Sequence, residues 1–202
     1  MLNVVGIGPG NPGCITENAR DIIKKSDILI GGKRNLDMFP KFKGEKIKIG
    51  ADLSKIVKII EEKSDLVISV IASGDPSIYG IGKYMSEHTD KDNMRIIPGI
   101  SSMQYMFSVI KVDMNDLYIT SGHGREPDYD YILSHNKICM VTDKKNGPER
   151  IAEEIIKRGQ KRIMAVGENL SYDSERITIG KPEEIMERKE YDMNVVVILN
   201  EK

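Results

Sequence analysis

The fold of this chain is decided at residues 2–25, LNVVGIGPGNPGCITENARDIIKK, where an apolar run leads through a glycine- and proline-rich turn into a stretch of helical periodicity. The same alternation returns further along, with strand-like runs at Ile28–Ile30 and Leu66–Ala72 and a helix-like stretch at Leu53–Lys63. The strand-like runs are apolar almost throughout, which is typical of a parallel sheet covered by helices on both faces. The pattern therefore predicts repeated βαβ units and an α/β fold.

A second lobe is predicted after a short polar segment. Residues Lys111–Asp116 follow a predicted helix at Ile100–Ile110 and precede a new series of strand-like runs. We therefore expect an N-terminal α/β lobe over residues 1–112 and a C-terminal α/β lobe over residues 113–202. In each lobe a mostly parallel or mixed sheet should be flanked by helices.

The composition excludes several classes of partner. The 202 residues carry 30 basic and 31 acidic side chains, so the net charge of −1 creates no long-range field that attracts nucleic acid or an anionic membrane. The cysteines (Cys14, Cys139) and the histidines (His88, His123, His135) lack the spacing of a disulfide framework or a metal site. No leader segment or bilayer-length apolar run is evident, so we expect a cytoplasmic protein with no metal, nucleic-acid or membrane partner.

The turn after the first predicted strand allows a ligand to approach the backbone closely, because it contains Gly6, Gly8 and Gly10. A dinucleotide fingerprint needs its third glycine where this chain has Asn11, and Pro9 lacks the amide that a pyrophosphate would use. A nicotinamide-dependent oxidoreductase is therefore a weaker interpretation. A turn of this kind without any ligand is a further alternative, since such turns recur in α/β folds.

Two more loops follow predicted strands, ASGDPSIYG at residues 72–80 and IPGISS at residues 97–102. Asp75 either accepts hydrogen bonds from a ligand or caps the helix that follows it, and Ser101 or Ser102 is placed to cap a helix in the same way. The loops at the carboxyl ends of parallel strands form the ligand crevice of such sheets. Three loops of this kind at one sheet edge predict a bound small molecule.

Taken in order, GIGPG at residues 6–10, GDP at 74–76 and PGISS at 98–102 resemble the tetrapyrrole methylase family. The family includes uroporphyrinogen methylases, methylases of the cobalamin pathway and diphthine synthase. The resemblance implies a two-lobed α/β fold and a homodimer. It also implies that S-adenosylmethionine, the methyl donor, binds in a cleft between the lobes.

A narrower resemblance covers the whole chain. The segments IGGKRNL at residues 30–36, GDPSIYGIG at 74–82, SGHGR at 121–125 and VTD at 141–143 are similar to the subgroup that methylates carbon 5 of cobalt-precorrin-7, also called precorrin-6Y methylases. Members often have a fused domain that decarboxylates the ring's side chain and methylates carbon 15. The resemblance implies that this chain performs only the carbon-5 step, with a separate carbon-15 methyltransferase and decarboxylase as a candidate partner and early insertion of cobalt into the ring.

The resemblance also implies which residues bind the cofactor. Loops of the first lobe would contact its methionine part, and strand ends of the second lobe would hold its adenine. The implied cofactor-binding residues are Gly8, Pro9, Gly74, Asp75, Ile78, Ser101, Ser102, Val141 and Leu170. Methyl transfer from a sulfonium to an electron-rich ring carbon is a direct displacement, so we expect no catalytic nucleophile and a rate that comes mainly from positioning.

The tetrapyrrole bears several carboxylates, and a nearly neutral protein must bind them with local cations. The candidates are Lys33, Arg34, His123 and Arg125, because arginine offers a bidentate fork and the last two lie in a glycine-rich loop. Ordinary surface charge is the alternative for each of them. Tyr79 either lines the flat face of the ring or packs in the core.

Two other interpretations stay open. Another tetrapyrrole methylase, acting on a different ring carbon or, like diphthine synthase, on a modified histidine, would share the three cofactor loops. The GGKR and HGR segments favour the carbon-5 subgroup over this alternative. A binding protein that keeps the fold without turnover would also share the loops.

Overall fold

Five parallel strands form the sheet of the first of two units into which the chain divides. The computed structural model describes residues 1–50 and 52–201, and its first unit spans Met1–Ser101. The strand order is β3-β2-β4-β1-β5, and every neighbouring pair is parallel. The elements in chain order are β1 (Leu2–Gly6), α1 (Glu17–Lys24), β2 (Ile28–Gly31), α2 (Lys33–Asp37), β3 (Glu45–Lys48), α3 (Ser54–Glu62), β4 (Ile68–Ala72), α4 (Ile81–His88) and β5 (Met94–Ile97).

Alternate side chains of these strands pack on opposite faces of the sheet. Val5, Leu29 and Ile71 lie in one core cluster together with side chains of α1 and α2. Val4 and Ile30 belong to a second cluster, which includes side chains of α3 and α4. Helices therefore cover both faces, and this double burial explains why the central strands are apolar almost throughout.

A mixed sheet forms the second unit, which begins at Ser102. The strand order is β6-β7-β10-β8-β9, in which β6 and β7 are parallel and the other neighbouring pairs are antiparallel. The elements in chain order are α5 (Ser102–Ile110), β6 (Tyr118–Ser121), α6 (Tyr129–Ile132), β7 (Lys137–Val141), α7 (Pro148–Lys157), β8 (Arg162–Glu168), β9 (Arg176–Gly180), α8 (Pro182–Glu187) and β10 (Asn194–Asn200).

Helix α5 groups with this second unit, whereas the sequence led us to expect it at the end of an N-terminal lobe over residues 1–112. Its side chains Met106 and Phe107 are buried, and an ideal Cβ on Gly167 of β8 would lie only 2.5 Å from the sulfur of Met106. The polar segment Lys111–Asp116 links α5 to β6 within the unit. The apolar packing of α5 on the second sheet, not the polarity of the segment after it, decides the grouping.

Two tyrosines in the core of the second unit differ in how their hydroxyl groups are satisfied. Tyr129 is 5% exposed, and its hydroxyl has no hydrogen-bond partner among the described residues. Burial raises the pKa of Tyr129 to about 12. Tyr191 packs against the same core cluster, but its hydroxyl donates to the carbonyl of Ile185 over 2.8 Å.

Removing the two hydroxyl groups should therefore change the stability in opposite directions. Tyr129→Phe should raise the free energy of unfolding by about 1 kcal/mol, because a buried hydroxyl without a partner is unfavourable in the folded state. Tyr191→Phe should lower it by about 1 kcal/mol, because the Ile185 carbonyl loses its donor. Urea denaturation followed by circular dichroism measures both values. A clear loss of stability in Tyr129→Phe would contradict the absence of a partner.

Candidate functional site

The carboxyl edge of the first sheet has the geometry of a ligand crevice. Strands β1 and β4 are neighbours, but the helices that follow them lie on opposite faces, since α1 packs in one core cluster and α4 in the other. The loops that leave β1 and β4 therefore diverge. In open α/β sheets, ligands bind in the crevice that such a divergence creates.

Backbone hydrogen bonds join these two loops beyond the ends of their strands. The amide of Gly8 donates to the carbonyl of Gly74 over 3.3 Å, and the amide of Gly74 donates to the carbonyl of Gly8 over 2.7 Å. The φ angles are +80° at Gly8 and +66° at Gly74, a left-handed conformation that favours glycine. The bridge therefore fixes the start of the crevice with main-chain atoms alone.

The loop after β5 packs against the same bridge without any intervening side chain. An ideal Cβ on Gly99 would lie 2.3 Å from the carbonyl oxygen of Gly74, and one on Gly6 would lie 2.6 Å from the amide nitrogen of Gly99. Real Cβ atoms do not come this close to backbone atoms. The three predicted loops are thus brought together, and glycine is required where they touch.

Asp75 ties two of these loops together. One carboxylate oxygen accepts from the amide of Ser77 over 2.7 Å, and the other accepts from the amide of Gly99 over 3.2 Å. Helix α4 begins at Ile81 with Gly80 as its N-cap, so Asp75 does not cap this helix. The carboxylate positions the loops, and its predicted contact with a cofactor remains a prediction.

Six positions of the three loops have no free backbone N–H group to offer a ligand. The amides of Gly8, Gly74 and Gly99 are all hydrogen-bonded within the unit. Each loop also contains a proline that has no N–H, namely Pro9, Pro76 and Pro98. These six positions therefore offer no N–H group to a pyrophosphate, which is bound by such groups.

Two of the side chains predicted to bind carboxylates, Lys33 and Arg34, lie at the start of α2, which follows β2 at the carboxyl edge of the first sheet. Arg34 donates through Nη2 to the hydroxyl of Ser73 over 3.2 Å, and this hydroxyl donates to Oδ1 of Asn35 over 3.0 Å. Lys33 and Arg34 are both exposed. Ser73 and Asn35 were not predicted as site residues, because their pairing joins positions 38 residues apart.

The remaining predicted residues of this edge differ in exposure. Ser101 is 4% exposed and Ile78 is partly buried. Tyr79 is 52% exposed and has a φ of +49°, so it does not pack in the core as one interpretation of its sequence allowed. Ser102 opens α5 and belongs to the second unit.

In the second unit, the loop with His123 and Arg125 leaves the carboxyl end of β6. The amide of His123 donates to the hydroxyl of Ser121 over 3.1 Å, and its side chain is exposed. Arg125 folds back on its own strand, where Nε donates to the carbonyl of Ser121 and Nη2 donates to the hydroxyl of Thr120 over 3.1 Å. The guanidinium is therefore held in place by the end of β6.

The loop after β7 fixes the His123–Arg125 loop by hydrogen bonds. Asp143 accepts from the amides of Gly124 over 2.9 Å and Asn146 over 2.7 Å, and these bonds, in that order, hold the pKa of its carboxyl below the ordinary value. The side chain of Asn146 is 2% exposed and donates to the carbonyls of Gly122 over 2.8 Å and Arg125 over 3.1 Å. Sequence patterns gave no signal for Asn146, since its partners lie in another loop.

Val141 and Leu170 lie at this same edge of the second sheet. Val141 is the last residue of β7 and pairs with Val195 of β10, while Leu170 follows β8, which runs antiparallel to β10. Leu170 is 4% exposed and stands between Asn169 and Ser171, whose φ angles of +46° and +70° are unusual for residues other than glycine. The turn is therefore a strained one.

An ion pair with a buried carboxylate supports this strained turn. Glu168 is 1% exposed, and its carboxylate binds Arg188 in a bidentate manner, with distances of 2.6 and 2.7 Å. The same carboxylate accepts from the amide of Asp192 over 3.0 Å, and Asn169 donates to the carbonyl of Met193 over 2.9 Å. The sequence analysis identified none of these supporting residues.

The described residues show neither a metal site nor a membrane-spanning helix. No three histidine, cysteine, aspartate or glutamate side chains are grouped so that they could hold a metal ion. None of the helices over residues 1–50 and 52–201 combines the length and the apolar composition needed to cross a membrane.

Comparison with known proteins adds a family, a sequence relative and two solved structures. The family model of the Tetrapyrrole (Corrin/Porphyrin) Methylases matches residues 1–186. The cobalt-precorrin-7 C(5)-methyltransferase of Salmonella typhimurium (strain LT2) is 43% identical over 203 residues, which cover 100% of both chains.

The two solved structures are similar over nearly the whole chain. The precorrin-6Y methylase of Archaeoglobus fulgidus has a TM-score of 0.79 at 26% identity, with coverage of 100% of this chain and 99% of that one. The uroporphyrin-III C-methyl transferase of Thermus thermophilus, solved in complex with S-adenosyl homocysteine, has a TM-score of 0.81 at 19% identity, with coverage of 98% and 96%. The predicted α/β fold is thereby confirmed.

Proposed function

The chain belongs to the tetrapyrrole (corrin/porphyrin) methylase family, as its sequence motifs predicted, and from this premise we propose that it methylates carbon 5 of cobalt-precorrin-7 in cobalamin biosynthesis. The methyl donor in this proposal is S-adenosylmethionine. The observation that carries the proposal is that the similarity to the Salmonella C(5)-methyltransferase extends over the full length of both chains. Similarity restricted to the cofactor loops would support methyl transfer but not the choice of ring carbon.

The loops of the first unit suit the proposed cofactor. S-adenosylmethionine supplies a methyl group activated by a positively charged sulfur. The prolines of the three loops and the hydrogen-bonded amides of Gly8, Gly74 and Gly99 disfavour a pyrophosphate, which is bound by N–H groups. The Thermus relative was solved with the demethylated product of this cofactor. We assign to the cofactor Gly8, Pro9, Gly74, Asp75, Ile78 and Ser101 of the first unit, and Ser102, Val141 and Leu170 of the second.

Positioning is the chemical contribution proposed for the protein. Direct displacement requires the acceptor carbon, the methyl group and the sulfur in line, with no covalent bond to the enzyme. The new carbon–carbon bond takes its electrons from the ring, and the electrons of the broken carbon–sulfur bond stay on sulfur. The Gly8–Gly74 bridge and the Asp75–Gly99 hydrogen bond keep the donor loops rigid, so little reorganisation is needed before transfer.

Local cations are proposed to bind the carboxylates of the tetrapyrrole. Arg34 is oriented by Ser73, and exposed Lys33 precedes it on the same turn. In the second unit His123 and Arg125 lie on a loop whose shape is fixed from its neighbour by Asp143. Side chains that are already held in place lose less conformational entropy when they bind a carboxylate.

Three further parts of the proposal rest on family membership. We propose a homodimer, a cytoplasmic location and an acceptor ring that already contains cobalt. We also propose that a separate carbon-15 methyltransferase and decarboxylase acts on the product. Sedimentation of the purified protein tests the first of these directly.

Isothermal titration with S-adenosylhomocysteine tests the cofactor, and NADH serves as the comparison. We expect a dissociation constant in the micromolar range for S-adenosylhomocysteine and no binding of NADH, because Pro9 lacks the amide and Asn11 the glycine that a pyrophosphate loop needs. Binding of NADH alone would favour an oxidoreductase. Binding of neither compound would contradict the proposed use of S-adenosylmethionine.

Two substitutions should separate the cofactor from the acceptor. Asp75→Ala should weaken the binding of S-adenosylhomocysteine by about 10-fold, because the loops at Ser77 and Gly99 lose their common acceptor. Arg125→Ala should leave this affinity unchanged and raise the KM for cobalt-precorrin-7 by about 10-fold. Titration calorimetry and transfer of a labelled methyl group measure the two effects.

The control for these variants is Asp65→Ala, which removes an exposed carboxylate that lies outside the loops. Thermal melts establish that each variant is folded. If Asp75→Ala and Arg125→Ala weaken both ligands equally, the division of roles between the two residues is wrong.

A further inference from the structure

Tyr79 combines a strained backbone with an exposed aromatic ring. Its φ of +49° lies in the left-handed region, where a bulky side chain is an outlier, and its side chain is 52% exposed. Strain of this kind persists only where neighbouring structure imposes it, and it concentrates at functional sites. Burial does not explain the conformation, because Tyr79 neither belongs to nor packs against the two core clusters of the first unit.

The residues after Tyr79 impose this conformation. The amide of Gly82 donates to the carbonyl of Pro76 over 3.0 Å. An ideal Cβ on Gly80 would lie 2.8 Å from the same carbonyl oxygen, and one on Gly82 would lie 2.6 Å from it. Two glycines therefore pack directly on the backbone of Pro76, and this contact shapes the turn that contains Tyr79.

A second exposed apolar side chain lies on the adjoining loop. Ile100 is 38% exposed and is also absent from both core clusters. It directly follows Gly99, whose amide is hydrogen-bonded to Asp75, four residues before Tyr79. The hydrogen bond between Asp75 and Gly99 thus joins two loops that each carry a large, partly exposed apolar side chain.

We propose that Tyr79 and Ile100 form an apolar platform that contacts the flat, conjugated face of the tetrapyrrole acceptor. The inference rests on the proposed function, and it adds an apolar contact to the cations that bind the carboxylates. A conjugated macrocycle has two broad apolar faces, and an aromatic ring stacks on such a face with a defined offset. The platform orients the ring so that one carbon faces the methyl donor, and both residues act as positioning residues.

Kinetics of Tyr79→Gly test the platform. The KM for cobalt-precorrin-7 should rise by roughly 10-fold, because the stacking contact is lost. The affinity for S-adenosylhomocysteine should not change. The melting temperature should stay within about 2 °C of the wild-type value or rise, because glycine relieves the left-handed strain and offsets the lost contacts of the ring. Ile100→Ala should raise the same KM by about 3-fold.

Two matched variants separate the aromatic contact from the backbone effect. Tyr79→Phe keeps the ring and should restore the KM to within about 3-fold of the wild-type value. Lys111→Gly replaces an exposed residue of the second unit with a φ of +58°, so it relieves the same strain away from these loops. It should leave the KM unchanged.

A wild-type KM in Tyr79→Gly would overturn the platform. A parallel loss of melting temperature and of affinity for S-adenosylhomocysteine would also overturn it, because the ring would then serve to hold the loop. The unmodified protein is assayed first. If it binds S-adenosylhomocysteine but does not methylate cobalt-precorrin-7, the proposed acceptor is wrong and the platform fails with it.

Discussion

The site of the first unit depends on a contact between backbones at Gly6, Gly74 and Gly99. Any side chain at Gly99 would place its Cβ 2.3 Å from the Gly74 carbonyl oxygen, so the three loops meet at a distance that only glycine permits. This approach brings Gly8 and Gly74 within range of their reciprocal hydrogen bonds and Asp75 within range of the Gly99 amide. The same bonds occupy the amides of Gly8, Gly74 and Gly99. The close contact between glycines therefore both holds the loops together and withdraws these three amides from a ligand.

The second unit relies more on carboxylates to hold its loops. Asp143 is bound to the amide of Gly124, and Glu168 is bound to Arg188. The amide hydrogen bonds to Asp143 stabilise its charged form, which is why the pKa of this carboxyl lies below the ordinary value. The contribution of Asp143 to stability is consequently present above the unfolded-state pKa and lost only as the pH falls through the lower folded-state value.

Local pattern and long-range pairing explain which features were predictable from the sequence. Strands β1, β2 and β4 were predicted because double burial makes them apolar, and the glycine loops because their spacing is local. Strand β3 has no counterpart in the predictions, since charged residues occupy three of the four positions of this edge strand. The supports of the loops, such as Asn146 and Arg188, pair with residues about 20 positions away. The local hydrophobic pattern of a sequence gives no signal for pairs of this kind.

Strained backbone conformations occur next to predicted site residues in both units. Asn169 and Ser171, on either side of Leu170, adopt left-handed backbone conformations. Tyr79 of the first unit has a left-handed conformation too. The ion pair of Glu168 with Arg188 contributes little net stability, because the desolvation of the buried carboxylate offsets its attraction to the partly exposed guanidinium. The main effect of the Glu168 carboxylate is geometric. It binds the amide of Asp192, and the neighbouring carbonyl of Met193 accepts from the amide of Asn169 in the strained turn. In both units, polar contacts and glycine contacts therefore hold unfavourable backbone conformations in place. The stability of the folded state comes from the apolar core of each unit.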